Sequence, residues 1–223
     1  MVAVYELDVV SPESLGRFVY RWYGPPDRSA AARPHEPRAD VPPALVEWHR
    51  LAARYSYPLS RDHVMLPPEG TGGDGTGSDG TGGDGNGMVR FWQGADDWYS
   101  YDSGAFRSGE QDPEVVENDE LPTGLALSRF LVYAAVYEAT YAPLHGLVRM
   151  NPTQEQLRAV KVRLRPLDDG LWQWPDPDVR YYGDDDLLGH LGADRLVIAG
   201  RHRDTLGRFD GLAIPWDWDT RSL

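Results

Sequence analysis

Residues 125–141 read LALSRFLVYAAVYEATY, and this stretch decides the fold. Its length and composition predict a helix, and Leu127, Phe130, Leu131 and Val136 place apolar side chains on nearly every side of it. A helix that is apolar all round is usually buried in the body of a domain. Pro143 is expected to end it. We therefore expect one long buried helix.

The segment before this helix predicts an aromatic hairpin. Residues 88–101 read MVRFWQGADDWYSY, with aromatic side chains on both sides of a Gln93-Gly94 pair. Aromatic runs favour strands, and a glycine between two of them favours a turn. We expect two strands that meet at this pair, with Gly94 at positive φ.

Shorter elements flank these two segments. Ser11-Pro12-Glu13 predicts a helix start, with Ser11 as N-cap. Further helices are expected over residues 43–55, after Asn151-Pro152-Thr153 and over residues 184–191, where Asp184, Asp185 and Asp186 would occupy the first turn. Strands are expected over residues 2–10, 160–165, 179–182 and 195–199.

The order of these elements predicts the fold class. Strands and short helices mix without a regular βαβ alternation, so we expect an α+β fold with a mainly antiparallel sheet packed with helices. No composition shift divides the chain after residue 88, and a length of 223 residues fits one large domain. We expect residues 1–223 to form a single domain.

Two segments are expected to connect elements. Residues 24–43 contain six prolines, which remove the donors that a helix or sheet needs, and predict a surface connection. Residues 70–87 contain the repeat TGGDG-TGSDG-TGGDG, which spaces Asp74, Asp79 and Asp84 five residues apart. Calcium-binding repeats have a nine-residue period and an apolar anchor, both missing here, so we expect a flexible loop.

The charge of the chain limits its partners. Asp and Glu outnumber Lys and Arg by 35 to 22, giving a formal charge of −13. A field of this sign opposes nucleic-acid phosphates and favours encounter with a basic protein. The alternative is that the charge serves solubility alone.

Composition also bears on compartment and chemistry. The chain has no cysteine, no apolar stretch near the ~20 residues needed to cross a bilayer, and no basic segment typical of a signal peptide at its start. We expect a cytoplasmic protein that does not bind membranes. No catalytic motif is present and the six histidines lack metal-ligand spacing, so we expect no enzyme activity, cofactor or metal. A metal-dependent hydrolase around residues 184–186 with His190 or His202 is kept as an alternative.

Tryptophans suggest a further surface. Trp172 with Trp174, and Trp216 with Trp218, have the spacing that puts both rings of a pair on one strand face, and aspartates flank them. Exposed Trp beside Asp can anchor a basic partner. The alternative is that each pair covers one side of a sheet.

Residues 88–141 contain an aromatic strand ending in Gln93-Gly94, a strand with Trp98, then Asp112-Pro113-Glu114-Val115 and a helix that begins Leu127-Ser128-Arg129-Phe130-Leu131. This order resembles the SUKH superfamily, which includes bacterial immunity proteins and fungal cell-wall-synthesis regulators. That family typically shows a strand ending in Glu-Asn-Gln-Gly, a Trp strand, Asp-Pro-Pro-Val and a Leu-Ser-x-Phe-Leu helix. The matching residues are Gln93, Gly94, Trp98, Asp112, Pro113, Val115, Leu127, Ser128, Phe130 and Leu131. The chain departs from the pattern at Phe91-Trp92 and at Glu114. Arg180-Tyr181-Tyr182-Gly183-Asp184 and Leu187-Leu188 resemble the family's C-terminal strand and helix.

The motif residues suit structural roles. Asp112-Pro113 predicts an extended bend beside the sheet, and Ser128 is expected to act as N-cap of the buried helix. What the resemblance implies is a protein-binding role, in which an immunity protein occludes a cognate toxin, for example a basic nuclease. A regulatory scaffold of the same fold is the alternative. The expected contact residues are acids of the hairpin and the following loop: Asp96, Asp97, Glu110, Asp112, Glu114, Glu117, Asp119 and Glu120.

Overall fold

The computed structural model describes residues 7, 11, 13–27, 41–67, 87–141, 143–167 and 179–222 of the chain. They form two compact units, each with its own antiparallel sheet. The five-stranded unit comprises Ser11–Gly16 and Pro25–Ala135, and the six-stranded unit comprises Met1–Val10, Arg17–Gly24 and Val136–Leu223. The predicted α+β class and antiparallel pairing are confirmed. That the whole chain acts as one domain stays a prediction.

The five-stranded sheet has its strands in sequence order. They are β1 (Val64–Met65), β2 (Met88–Gln93), β3 (Trp98–Asp102), β4 (Glu114–Glu117) and β5 (Leu121–Ala126). The predicted hairpin is therefore present as β2 and β3. β5 forms an edge of this sheet, contains Pro122 and Gly124, and pairs with β4 through an irregular register.

A bulge in β2 gives this unit its aromatic core. Arg90 pairs with Ser100 while Trp92 pairs with Tyr99, so Phe91 is an extra residue in the ladder. Side chains normally alternate between the faces of a strand, but a bulge allows two successive residues to face the same side. Phe91 and Trp92 are both fully buried as a result.

The long helix is present as α4, Leu127–Tyr141. It begins two residues later than predicted, because Leu125 and Ala126 complete β5. Its residues 130–136 are all buried, as its apolar sequence predicts. In the five-stranded unit the Phe130 ring lies 5.7 Å from that of Phe91 and 5.0 Å from that of Tyr99.

Among the described residues, three shorter helices precede α4. α1 (Ser14–Tyr23) and α2 (Pro43–Ala52) each bury one face, which includes Phe18 and Val19 in α1 and Leu45 and Trp48 in α2. α3 (Ser103–Arg107) is capped by the Asp102 carboxylate, which accepts from the Gly104 N–H at 2.6 Å. Ser11 does not cap α1 as predicted: its own N–H donates to Ser14 Oγ at 2.9 Å, and the helix starts at Ser14.

The six-stranded sheet has the order β11-β6-β10-β9-β8-β7. The strands are β6 (His145–Met150), β7 (Arg165–Pro166), β8 (Arg180–Gly183), β9 (Leu187–Leu191), β10 (Arg195–Gly200) and β11 (Trp218–Asp219). Leu147, Leu196 and Ile198 project from one face into an apolar core that also holds Leu157 of α5 (Gln154–Lys161) and Phe209 of the 3₁₀-helix Arg203–Phe209.

Two predicted elements of this unit are wrong. Residues 160–164 are not a strand: α5 continues to Lys161, and Val160 and Leu164 are buried at helix-like spacing while Val162 is 79% exposed. Residues 184–191 are not a helix, because they form a turn and β9. The Asp184 carboxylate accepts from the backbone N–H groups of Asp186 and Leu187, both at 3.0 Å. This local bonding competes with helix formation, so the acids do not cap a helix.

Several predicted segments lie outside the described residues. These are most of the strand over residues 2–10, residues 28–40 of the proline-rich connection, residues 70–86 of the glycine repeat, and the pair Trp172 and Trp174. At the ends of the proline-rich connection, the Asp27 carboxylate accepts from the Ser56 N–H at 2.7 Å, and Pro43 is the first residue of α2.

The Thr220 hydroxyl fixes β6 of the six-stranded unit to the C-terminal segment. It accepts from the Gly146 N–H at 2.9 Å, in a buried position. Thr220→Val keeps the shape but leaves this N–H without its partner, so we expect a loss of about 1–3 kcal/mol in the free energy of unfolding. Urea unfolding measures it. Thr205→Val, which removes a hydroxyl that bonds the His202 carbonyl near the surface, should cost less than about 1 kcal/mol; equal losses would contradict the assignment.

Candidate functional site

Three chain segments meet at one end of the five-stranded sheet. They are residues 62–63 before β1, the turn 94–97 between β2 and β3, and the turn 118–120 between β4 and β5. Val64 pairs with Gln93, which pairs with Trp98, and Tyr99 pairs with Glu117 at the end of β4. Because the strands are antiparallel, the three segments lie side by side. We call this the acidic end, and its carboxylates belong to Asp62, Asp96, Asp97, Glu117, Asp119 and Glu120.

Asp119 is held by three side-chain donors. Its carboxylate accepts from Ser100 Oγ at 2.6 Å, from Trp98 Nε1 at 2.9 Å and from Arg90 Nη2 at 2.9 Å. Asn118 and Asp119 have φ values of 51° and 61°, the left-handed pair that a tight hairpin turn requires. The three donors from β2 and β3 therefore hold the tip of the β4–β5 hairpin against its neighbours.

Hydrogen bonding sets the charge of Asp119. Burial raises the pKa of its carboxyl group, but the hydrogen bonds from Ser100, Arg90 and Trp98, together with the charge of Arg90, outweigh burial and lower the pKa below its ordinary value. The Arg90 guanidinium also lies 4.3 Å from the centre of the Trp98 ring, within cation–π distance. Asp119 is thus an ionised structural acceptor.

A second network surrounds His63, a residue that no sequence motif indicated. Its ring is buried and stacks on Trp92 with centroids 4.0 Å apart. Its Nε2 lies 3.1 Å from Asp97 Oδ2 and its Nδ1 lies 3.2 Å from Asp62 Oδ2. Tyr99 donates its hydroxyl to the same Asp97 oxygen at 2.7 Å. Asp62 and His63 are neighbours in sequence, but Asp97 lies 34 residues away, so spacing could not reveal the site.

Gly94 is needed in this network for a reason other than the predicted one. It does not have positive φ, and its N–H donates to the Asp97 carbonyl at 2.8 Å. A Cβ at this position would lie 2.0 Å from Asp97 Oδ1 and 2.7 Å from His63 Nε2. The lack of a side chain, rather than backbone freedom, is what allows His63 and Asp97 to meet.

Asp112 caps α4, and Ser128 does not. The Asp112 carboxylate accepts from the Ser128 N–H at 2.8 Å and from the Ser128 hydroxyl at 2.6 Å. The Leu127 N–H donates to the Pro113 carbonyl at 2.9 Å. Asp112-Pro113 therefore supplies the acceptors that the first turn of the helix lacks, and Ser128 acts as a donor inside that turn.

The structure divides the eight predicted contact acids between two ends of the sheet. Asp96, Asp97, Glu117, Asp119 and Glu120 lie at the acidic end. Glu110, Asp112 and Glu114 lie toward the other end, beyond a strand of five residues that spans roughly 14 Å. Five of the eight therefore share one surface.

The same eight acids also differ in their bonding. The side chains of Asp96, Glu110 and Glu120 are exposed and form no hydrogen bond or ion pair with any described residue. Hydrogen bonds already described are accepted by the carboxylates of Asp97, Asp112 and Asp119. The Glu114 carboxylate accepts from the Gly124 N–H at 2.9 Å. Asp96 and Glu120 are the two acids that combine exposure with a place at the acidic end.

Charge is unequally divided between the units. The five-stranded unit contains nineteen Asp and Glu against nine Lys and Arg, a formal charge of −10. The six-stranded unit contains sixteen against thirteen, a formal charge of −3. In the latter many acids are paired, such as Asp184 with Arg208 and Asp219 with Arg221. Most of the excess negative charge therefore belongs to the unit that carries the acidic end.

The residues of the alternative metal site and of the second tryptophan pair have the following surroundings. His190 contacts the Tyr181 ring, while His202 is exposed. Within the described ranges, no group of three or more His, Asp or Glu side chains could hold a metal ion. Trp216 is half-buried against the apolar core and Trp218 is 39% exposed in β11, so the two rings have different surroundings.

Comparison with known proteins identifies no relative. No family model matches the chain, and no curated protein or solved structure matches it significantly. Among the described residues, no helix combines the length and apolar composition needed to cross a membrane.

Asp119→Asn tests the first network. We expect a loss of about 1–3 kcal/mol in the free energy of unfolding near pH 7, because Arg90 loses its ionic partner. The pKa of Asp119 is lower in the folded chain than its unfolded value of about 3.9, so its contribution is present above about pH 4 and is lost as pH falls through the folded pKa. Urea unfolding near pH 7, 5 and 3 should show the gap between wild type and variant closing only at the lowest pH. Asp96→Asn, as the control, should change the free energy of unfolding little. A difference between wild type and Asp119→Asn that does not depend on pH would contradict this account.

Gly94→Ala tests the second network. The added methyl group must displace His63 or Asp97, and we expect a loss of about 1–3 kcal/mol in urea unfolding. Gly207→Ala is the matched control, because the nearest atom to its Cβ would be Asp210 Oδ2 at 3.5 Å. If the two substitutions reduce the free energy of unfolding equally, the close approach of His63 and Asp97 to Gly94 does not contribute to stability.

Proposed function

We propose that the protein binds a basic partner protein through the acidic end and has no enzymatic activity. One observation carries the proposal: Asp96 and Glu120 are exposed carboxylates without partners among the described residues, on a surface held rigid by the networks of Asp119 and His63. A rigid surface loses little conformational entropy on binding. The charge of −10 on the same unit would accelerate encounter with a cationic surface.

The partner that fits this chemistry best is a toxin with a basic substrate groove, such as a nuclease. An acidic protein seated over that groove would exclude the substrate without chemistry of its own. This is the immunity role that the resemblance to the SUKH superfamily implies, and the chain would act in the cytoplasm. The structural uses of Gly94, Asp112 and Phe130 support the view that its motif residues maintain the fold rather than contact a substrate.

Affinity capture tests the proposal. The tagged protein is incubated with its native cytoplasm, and bound proteins are eluted by raising salt, identified and assayed for nuclease activity with and without the tagged protein. We expect a basic protein that elutes as salt screens the contact and whose activity is inhibited at equimolar ratio. A neutral partner without such activity would favour the regulatory scaffold instead.

Charge reversal then locates the contact. Asp96→Lys with Glu120→Lys should slow association with the captured protein by about tenfold at low salt, an effect that salt reduces. Asp185→Lys with Asp204→Lys makes the same change in net charge at exposed positions of the six-stranded unit. Equal slowing by both pairs would mean that net charge alone matters and would remove the acidic end as the contact.

A further inference from the structure

The two faces of the five-stranded sheet differ in their exposure. One face carries the buried side chains of the aromatic core, among them Val89, Phe91, Tyr99, Tyr101 and Val115. On the opposite face, which we call the outer face, the described side chains of β2, β3 and β4 are exposed or half-buried, apart from the small Ser100. Four apolar side chains lie on the outer face, and we call them the apolar strip: Val64, Trp98, Val116 and Pro122.

Strand register places the apolar strip on one face. Residues that pair directly across antiparallel strands project to the same side, and Val64 is joined to Trp98 through one paired residue of β2. Ser100 lies two residues after Trp98 and therefore projects to the same side. Ser100 pairs with Val116, which pairs with Pro122. The strip thus extends over β1, β3, β4 and β5, with Trp98 on the central strand.

Trp98 is held in a fixed position within the strip. Its Nε1 donates to the Asp119 carboxylate at 2.9 Å, and the Arg90 guanidinium lies 4.3 Å from the centre of its ring. Because these contacts already orient the ring, little side-chain entropy is lost when a partner covers it. Trp is enriched among the residues that dominate binding energy, and Val64, at 62% exposure, adds apolar surface on the same face.

Charge indicates which partner fits the outer face. Arg90 and Asp119 form an ion pair of 2.9 Å and compensate each other. Asp96 and Glu120 remain as exposed carboxylates without partners among the described residues. They lie in turns on either side of Trp98, about two strand spacings or roughly 10 Å apart. An apolar centre with a polar rim is typical of protein interfaces, and this rim is complementary to cations.

We propose that the outer face binds a segment of the basic partner in which an apolar side chain lies between two Lys or Arg residues. The apolar side chain packs on Trp98 and the strip, while the two cations reach Asp96 and Glu120. In an extended segment, alternate residues project to one side, so a cation, an apolar residue and a cation at alternate positions span roughly 13 Å. Long, flexible Lys or Arg side chains adjust this span to the two carboxylates.

This inference rests on the proposed function and deepens it, because it states what the partner must present. The two carboxylates accelerate association, whereas the apolar strip slows dissociation. Charge alone would accept any cationic surface. The strip therefore supplies selectivity among basic partners.

Two synthetic peptides with blocked ends test the proposal on the full chain. The first has the sequence Lys-Ser-Lys-Ser-Leu-Ser-Lys-Ser-Lys, and the second has Ser in place of Leu, so the two have equal charge. NMR titration of the backbone amide and indole N–H signals at about 20 mM salt gives both dissociation constants. We expect the Leu peptide to bind about fivefold more tightly, because it buries additional apolar surface on the strip.

Three variants separate the apolar contribution from the charge. Val64→Thr with Val116→Thr keeps the shape and charge of the strip but makes it polar, and should reduce the fivefold preference to about twofold or less. Val162→Thr makes the same change at a position of the six-stranded unit that is 79% exposed, and should leave the preference unchanged. Asp96→Lys with Glu120→Lys should weaken both peptides by the same factor and keep the preference.

The outcomes distinguish this proposal from the proposed function. Equal binding of the two peptides, a preference that Val64→Thr with Val116→Thr leaves intact, or no binding of either peptide up to about 5 mM would each overturn the role of the outer face. The capture experiment would then still decide whether a basic partner exists. If Asp96→Lys with Glu120→Lys leaves both affinities unchanged, the acidic end does not contact cations, and both proposals fail.

Discussion

The ring of Phe130 joins the first turn of α4 to the sheet of the five-stranded unit. It packs within 6 Å of the rings of Phe91, Trp92 and Tyr99, so one side chain contacts both strands of the central hairpin. Two of these rings face it only because the bulge in β2 turns successive residues inward. Trp92 in turn supports His63. The aromatic core and the His63 network therefore rest on the same bulge.

Carboxylates have two distinct uses in this unit. Asp97, Asp112 and Asp119 accept hydrogen bonds and fix a turn, a helix end and a hairpin tip, which makes their charges part of the fold. Asp96 and Glu120 adjoin the same turns but face solvent. The first group thus gives the second a defined position, and a charged surface with fixed geometry provides more selectivity than the same charge on a flexible tail.

Much of the fold could be predicted from sequence because its signals are local. The apolar run of α4 and the aromatic residues of the β2–β3 hairpin are each continuous stretches of sequence, and Asn151-Pro152-Thr153 directly precedes α5. The errors have local causes as well. The buried residues Val160 and Leu164 lie four positions apart, which fits a helix as well as the predicted alternating strand. The Asp184 carboxylate accepts from N–H groups of a turn and does not cap a helix. Five of the six acids at the acidic end are among the predicted contact residues, because all five belong to the acid-rich stretch between residues 96 and 120, and their role in binding stays a prediction. His63 was missed, because its contact with Asp97 exists only after β1 pairs with β2.

The edge strand β5 limits how another chain can engage the five-stranded sheet. Pro122 has no amide hydrogen, and the irregular pairing near Glu114 disturbs the row of backbone groups along this edge. At the opposite edge, β1 has only two residues. Along the described residues of this sheet, an extended peptide therefore finds no long template on which to add a sixth strand. These edges favour contacts through side chains, and the same feature protects this sheet from strand-to-strand polymerisation at high concentration.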